Sequence, residues 1–201
     1  MNKLVACLMI GLGWMNFAYA GGDAASGEEK VAVCGACHGA DGNSLVTSFP
    51  KLAGQSELYL IKQMNDIRDG HRDVPQMAGL LSSLSAQDIA DIAAYYSVQT
   101  GSIGATDPAM VALGRLIYRA GNAAKDVAAC TACHSPTGAG NPQAGFPALS
   151  GQHTDYIIAQ LKAFRTETRT NDKAAIMRQV AALMSDKEIE AVASYIQGLS
   201  N

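Results

Sequence analysis

"VAVCGACHGADGNS" (residues 31–44) holds Cys34, two spacer residues, Cys37 and then His38. "VAACTACHSPTGAG" (residues 127–140) repeats the arrangement at Cys130, Cys133 and His134. Cysteines at this spacing serve a redox disulfide, half of a zinc site or the attachment of haem. A thioredoxin-like redox pair expects a preceding strand and a βαβ pattern, and no strand-like alternation surrounds either copy. Zinc could take both Cys-x-x-Cys pairs, but the histidine directly after each pair would then have no role. Cys-x-x-Cys-His is the c-type haem attachment signal. Two thiols add across the haem vinyl groups, and the adjacent imidazole reaches the iron from the same side. The two copies predict two covalently bound haem c groups, one on Cys34 and Cys37, the other on Cys130 and Cys133. His38 and His134 are the expected axial ligands on one side of each iron.

The chain opens with "MNKLVACLMIGLGWMNFAYA" (residues 1–20). Lys3, an apolar run and Ala-Tyr-Ala at residues 18–20 read as a secretory leader cleaved after about Ala20. A membrane anchor is the competing reading, but the run is short and interrupted, and a span needs about 20 apolar residues. "LVAC" (residues 4–7) resembles a lipoprotein box without the apolar region that should precede it, so Cys7 leaves with the leader. The remaining four cysteines all lie in the two motifs, and the mature protein is expected to be soluble outside the cytoplasm.

Internal repetition organises the rest. "FPKLAGQSELYLIKQ" from Phe49 matches "FPALSGQHTDYIIAQ" from Phe146 at an offset of 97, and the Cys-x-x-Cys-His motifs are offset by 96. "LSAQDIADIAAYY" from Leu84 matches "MSDKEIEAVASYI" from Met184 at an offset of 100. The mature chain is therefore two copies of one unit, residues 21–104 and 105–201, joined by the Gly-, Thr- and Ser-rich "QTGSIGATDP" (residues 99–108). Each unit is small for a core, and a covalent haem supplies missing apolar mass. The pattern is all-α. "GEEKVAVC" and "LGRLIYRAG" read as short helices leading into the motifs. "SELYLIKQMNDIRDG" has Leu58, Ile61 and Met64 at helical spacing, with Ser56 as N-cap and Gly70 as stop. Ser85 with Asp88 and Ser185 with Glu188 resemble capping boxes for the last helix of each unit.

The iron needs a sixth ligand or an open site. The spare histidines, His71 and His153, do not correspond in the repeat. His71 sits in a polar loop, and His153 reads as an exposed residue at a helix start, aligned with Ser56. Met77 falls on Met177 at the offset of 100, just before the last helix of each unit, and these two methionines are the expected ligands. Met64 aligns with Leu161 and Met184 with Leu84, so both belong to the core. His/Met ligation favours reduced iron and raises the potential. A ligating imidazole normally donates its other N–H to a carbonyl. Pro50 and Pro147 follow the histidines by twelve and thirteen residues. Their carbonyls are the expected acceptors, on stretches that proline stiffens.

Taken together, "CGACH" and "CTACH", "FPKLAGQ" and "FPALSGQ", Met77 and Met177, and the closing "DIAAYY" and "AVASYIQGL" resemble the dihaem cytochrome c4 family over almost the whole mature chain. The resemblance implies two tandem cytochrome c folds related by a pseudo-twofold axis, with the haem propionates near each other. It implies periplasmic electron transfer from a quinol-oxidising complex (quinol:cytochrome c oxidoreductase) toward a terminal oxidase, with loose association at the membrane face. With six ligands per iron, neither haem has a vacancy for oxygen, peroxide or nitrite. No Ser/His/Asp set and no Gly-rich phosphate loop suggests other chemistry, and neither a nucleic-acid partner nor a small-molecule substrate is expected. Residues 21–104 carry five Lys and Arg against ten Asp and Glu, a net of −5; residues 105–201 carry nine against eight, a net of +1. Such asymmetry can orient encounter with charged partners. Two other readings compete with a mobile carrier. One is the dihaem acceptor subunit of a dehydrogenase such as a flavoprotein sulfide oxidoreductase; the other is a dihaem enzyme such as a peroxidase.

Overall fold

A computed structural model describes residues 21–200. The leader at residues 1–20, with Cys7 and the expected cleavage position, lies outside the described residues. Among those described, the regular structure is helical, with isolated antiparallel bridges only at Asn122–Val127 and Asn141–Phe146. The first half contains α1 (Ala24–Glu28), α2 (Ala32–His38), α3 (Glu57–Arg68) and α4 (Ala86–Ser97). The second contains α5 (Val111–Ala120), α6 (Thr131–His134), α7 (Thr154–Arg165), α8 (Ile176–Ala182) and α9 (Asp186–Gln197). No helix among the described residues is long and apolar enough to cross a membrane.

Local sequence explains the boundaries. The hydroxyl of Ser56 accepts from the Tyr59 N–H at the start of α3, and α3 runs out just before Gly70, which sits at φ +78°. Both expected capping boxes are present: Ser85 with Asp88 opens α4, and Ser185 with Glu188 opens α9. The stretch "GEEKVAVC" is not one helix. It breaks after Glu28 because the Lys30 N–H turns back to the Gly27 carbonyl while the Lys30 ammonium is drawn to Asp88 (2.9 Å) and Asp91 (2.5 Å) of α4. The second half makes the equivalent tie through Lys125, whose ammonium lies 2.9 Å from Glu188 of α9. The Ser185 hydroxyl and N–H, helped by Lys125 and Asn122, hold the Glu188 carboxyl down at about 2.

The first and last helices of each half cross closely. A Cβ on Gly27 would stand 2.1 Å from the Asp91 carbonyl oxygen, and one on Gly114 2.3 Å from that of Ala191. Only glycine allows such an approach of two backbones. Val31, Leu60, Ile92, Ala93 and Tyr96 form the first core, with Met64 packed against it. Ile117, Tyr118, Val127, Ile157, Ile189 and Val192 form much of the second, in which Met184 is buried. Both methionines assigned to packing are thus in packing positions.

Residues 98–110 connect the halves without a regular element and are held by both. The Ser102 N–H donates to the Asn43 side chain (2.7 Å), and the Gly104 N–H to the Gln197 carbonyl (3.0 Å).

Candidate haem centres

Each Cys-x-x-Cys-His motif occupies a short helix, α2 or the turn into α6, and the histidine ends it. All four cysteines are free of disulfides. A redox-active Cys-x-x-Cys pair has its leading thiol pKa lowered. Here burial does the opposite, pushing Cys34 up and Cys130 up to about 11. The convergence of both cysteine pairs that a four-thiolate zinc site needs is absent among the described residues.

The histidines are placed alike. Nδ1 of His38 lies 2.9 Å from the Pro50 carbonyl oxygen, and Nδ1 of His134 lies 2.9 Å from that of Pro147. A carbonyl only accepts, so Nδ1 carries the proton and the Nε2 lone pair is left for a metal. Burial lowers both imidazole pKa values, with the proline carbonyls opposing, so both rings stay neutral as ligation requires. Phe49 and Phe146 add edge contacts to the two rings, with centroids 6.3 and 6.1 Å apart. The Phe-Pro dipeptide therefore orients the imidazole twice, by its ring and by its carbonyl; sequence reasoning assigned only the proline. Two undisulfided thiols beside a neutral, oriented imidazole are the donor set a covalent haem requires.

Met77 ends a 3-10 turn, Pro75–Met77, and is half-buried. Met177 is the second residue of α8, also half-buried, and its neighbour Arg178 is tied to Asp172 at 2.8 Å. His71 is exposed in its loop. His153 departs from expectation. It does start α7, but it is only 8% exposed, and its Nε2 lies 2.8 Å from the Ser44 carbonyl oxygen of the other half. Its environment belongs to the interface, whose partner atom is a backbone oxygen that no pattern in the sequence marks.

Much of that interface is mirrored. The Gln55 side chain accepts from the Ala148 N–H (2.9 Å) and donates to the Ala148 carbonyl (3.0 Å). The Gln152 side chain does the same to Lys51, both at 2.9 Å. Arg72 donates to Gln63 (2.8 Å), Tyr156 (3.1 Å) and Gln160 (3.0 Å). Arg169 donates to Gln160 (2.7 Å), Tyr59 (3.1 Å) and Gln63 (3.0 Å). Every partner here is its counterpart's equivalent at the offset of 97, the signature of an isologous contact. Among the described residues no carboxylate hydrogen-bonds either buried guanidinium. Burial would raise the Tyr59 pKa, but the charges of Arg169 and Arg72 outweigh it and leave it lowered. The two guanidiniums are therefore held by amide and phenol oxygens, with Asp66 the carboxylate that acts on Arg72 through space. Sequence reasoning missed these residues, although identical polar residues recurring at one offset were a readable signal.

A family profile described as "Cytochrome c" matches residues 24–97 and 112–200. A cytochrome c4 of Pseudomonas aeruginosa is 56% identical over 200 residues, covering 99% of this chain and all of that one. The chain belongs to the cytochrome c4 family. The crystal structure of reduced recombinant cytochrome c4 from Pseudomonas stutzeri superposes with a TM-score of 0.87 at 54% identity, covering 89% of this chain and 99% of that one. A "thiosulfate dehydrogenase electron acceptor" of Stutzerimonas stutzeri is 38% identical over 167 residues, 81% of this chain and 76% of that one. The fold is accordingly all-α with tandem cytochrome c regions, and the protein is a dihaem electron-transfer cytochrome, a carrier and not an enzyme. It binds two covalent haem c groups and works with redox protein partners.

Proposed function

We propose that the halves, residues 21–104 and 105–201, are two haem domains of an exported, periplasmic carrier. It passes electrons from a quinol-oxidising complex to a terminal oxidase and touches the membrane face only loosely. Cys34 and Cys37 anchor one haem, and Cys130 and Cys133 the other. His38 and Met77 are the axial ligands of the first, and His134 and Met177 of the second. The observation that carries this reading is the matched pair of Nδ1 to proline-carbonyl hydrogen bonds, which leaves both Nε2 atoms for iron. Each haem, when bound, supplies a one-electron ferric/ferrous couple. The protein's part would be to hold each iron through one histidine and one methionine and so leave no site for oxygen or peroxide. The thioether of methionine would favour the ferrous state, and the buried guanidiniums of Arg72 and Arg169 would complement the negative charge of propionates.

The likeness to a thiosulfate dehydrogenase electron acceptor supports a second reading, a dihaem acceptor serving a dehydrogenase. The two readings separate on the electron donor. A shuttle is reduced fastest by membranes carrying the quinol-oxidising complex; an acceptor is reduced fastest by a copurifying dehydrogenase. The ligand assignment is tested by Met77→Ala and Met177→Ala. Each variant is expected to lose the methionine–iron absorption band of one haem while both haems stay covalently attached. Survival of the full band in either variant overturns that ligand.

A further inference from the structure

The peptide unit between Pro50 and Lys51 makes two hydrogen bonds at its two ends. Its carbonyl accepts from Nδ1 of His38 (2.9 Å), and its N–H donates to Oε1 of Gln152 in the other half (2.9 Å). The unit between Pro147 and Ala148 is its mirror: the carbonyl accepts from Nδ1 of His134 (2.9 Å), and the N–H donates to Oε1 of Gln55 (2.9 Å). The amide orientation follows from its partners, because a backbone N–H only donates and must face oxygen. Both glutamines are buried, at 7% and 8% exposure. Each Oε1 also accepts a second backbone N–H, from Ser56 or His153.

Hydrogen bonds in series polarise one another. Accepting at the N–H end of an amide shifts electron density toward its oxygen, so the proline carbonyl becomes a stronger acceptor for the imidazole N–H. A more strongly bonded Nδ1–H makes the imidazole a more basic donor at Nε2, and that stabilises ferric over ferrous iron. We propose that Gln152 and Gln55 are cross-domain positioning residues, each setting the basicity of the histidine ligand, and hence the redox potential, of the haem in the opposite half. Gln152 lowers the potential of the haem on Cys34 and Cys37; Gln55 lowers that of the haem on Cys130 and Cys133. This rests on His38 and His134 being the ligands.

The test uses the full dihaem protein with Gln152→Met, which keeps length and removes the strong acceptor, and Gln152→Glu, which keeps an acceptor oxygen facing Lys51. In the reduced, diamagnetic protein, Gln152→Met is expected to move the His38 Nδ1–H resonance upfield and leave that of His134 in place. The ferric/ferrous ratio of the first haem should shift about two- to threefold toward ferrous, which is ~18–28 mV upward at 59 mV per tenfold. Gln152→Glu should not move the His38 resonance upfield. Gln55→Met should produce the same changes at His134 and the second haem. An upfield shift with both Met and Glu would show simple loosening of the interface and overturn the proposal, as would a Gln152→Met change confined to the second haem. The ligand reading fails separately, if the His38 ring protons lack the large ring-current shift of an iron-bound imidazole.

Discussion

Gly39 and Gly70 of the first half have Ser135 and Glu167 as their counterparts in the second. All four sit at positive φ: +81° and +78° for the glycines, +67° and +58° for Ser135 and Glu167. The first half meets the requirement with residues that have no Cβ to clash. The second meets it with residues that carry a Cβ, and at Ser135 hydrogen bonds hold the unfavourable backbone in place. The Ser135 carbonyl accepts from the Tyr118 hydroxyl (2.7 Å), and the Ser135 hydroxyl oxygen accepts from the Ala139 N–H (2.9 Å). Tyr118 belongs to α5, twice the length of its counterpart α1. In the first half the nearest parallel, the Tyr96 hydroxyl, is buried without a hydrogen-bond partner among the described residues. The methionine segments differ in the same sense. Met77 lies in a run of turns, whereas Met177 lies on α8, beside the Asp172–Arg178 pair and near Val180, which packs on the second core. At these exchanged positions the first half relies on glycine and the second on residues that carry a Cβ, although each half also has positive-φ glycines elsewhere.

The strongest probe of this contrast is at the aligned pair His153 and Ser56. His153→Ala strands a buried carbonyl, that of Ser44, and is expected to cost ~1–3 kcal/mol. Ser56→Ala removes only a helix cap and should cost ~1 kcal/mol. Chemical denaturation of both variants checks the order, and equal losses would mean that His153 contributes no more than a cap.

Next is the lability of the methionine segments. Added imidazole is expected to displace Met77 about tenfold more readily than Met177, about 1.4 kcal/mol of local opening, because turns open before a packed helix. Titration followed by haem-resolved NMR checks it, and equal affinities at the two haems would remove the distinction between braced and unbraced segments. A smaller effect is expected from exchanging the residues at the left-handed positions. Glu167→Gly should stabilise by ~0.5–1 kcal/mol, and Gly70→Ala should destabilise by ~1 kcal/mol. A Cβ at Gly70 meets nothing within 4 Å, so the loss there is conformational and not steric. Thermal melts that moved in the same direction for both would contradict this.

The smallest effect concerns the two potentials. Both haems take the same ligand types, and the glutamine contacts are mirrored, so neither separates them. Net charge does: −5 around the first against +1 around the second favours ferric iron in the first. The haem on Cys34 and Cys37 should have the lower potential, with a gap that narrows as salt rises past a Debye length of about 10 Å at 0.1 M. Electrons would then enter at the first half and leave from the second. Redox titration with haem-resolved detection at low ionic strength decides it, and the reverse order would show that burial or hydrogen bonding outweighs charge.

What could be read in the sequence was whatever is local or repeated. Cys34, Cys37 and His38 lie within five residues, the capping boxes span four, and Pro50 and Pro147 follow their histidines by twelve and thirteen. The contacts between halves were not read. Arg72, Gln63 and Tyr59 fall on Arg169, Gln160 and Tyr156 at one offset, but single polar residues in amphipathic helices look solvated until two copies are set face to face. His153 was misread for a related reason. A helix N-terminus is usually wet, and only the opposing half makes this one dry. The break between α1 and α2 was hidden because the force that causes it, the attraction of Lys30 to α4, acts across 58 and 61 residues of chain.

The mirrored interface also carries history. Contacts in which residue i of one half meets j of the other, and j meets i, are those made by a twofold dimer of identical subunits. Joining two such subunits through residues 98–110 turns a bimolecular association into an intramolecular one, with the partner at high effective concentration whatever the dilution. Once tethered, the copies no longer had to remain identical to stay together. Lys51 could arise opposite Ala148, its ammonium reaching the Gly151 and Ser102 carbonyls at 2.9 and 2.7 Å, and His153 opposite Ser56, without either change having to satisfy both sides of a symmetric joint. A tethered pair is thus free to differ at its joint in a way that a symmetric dimer is not.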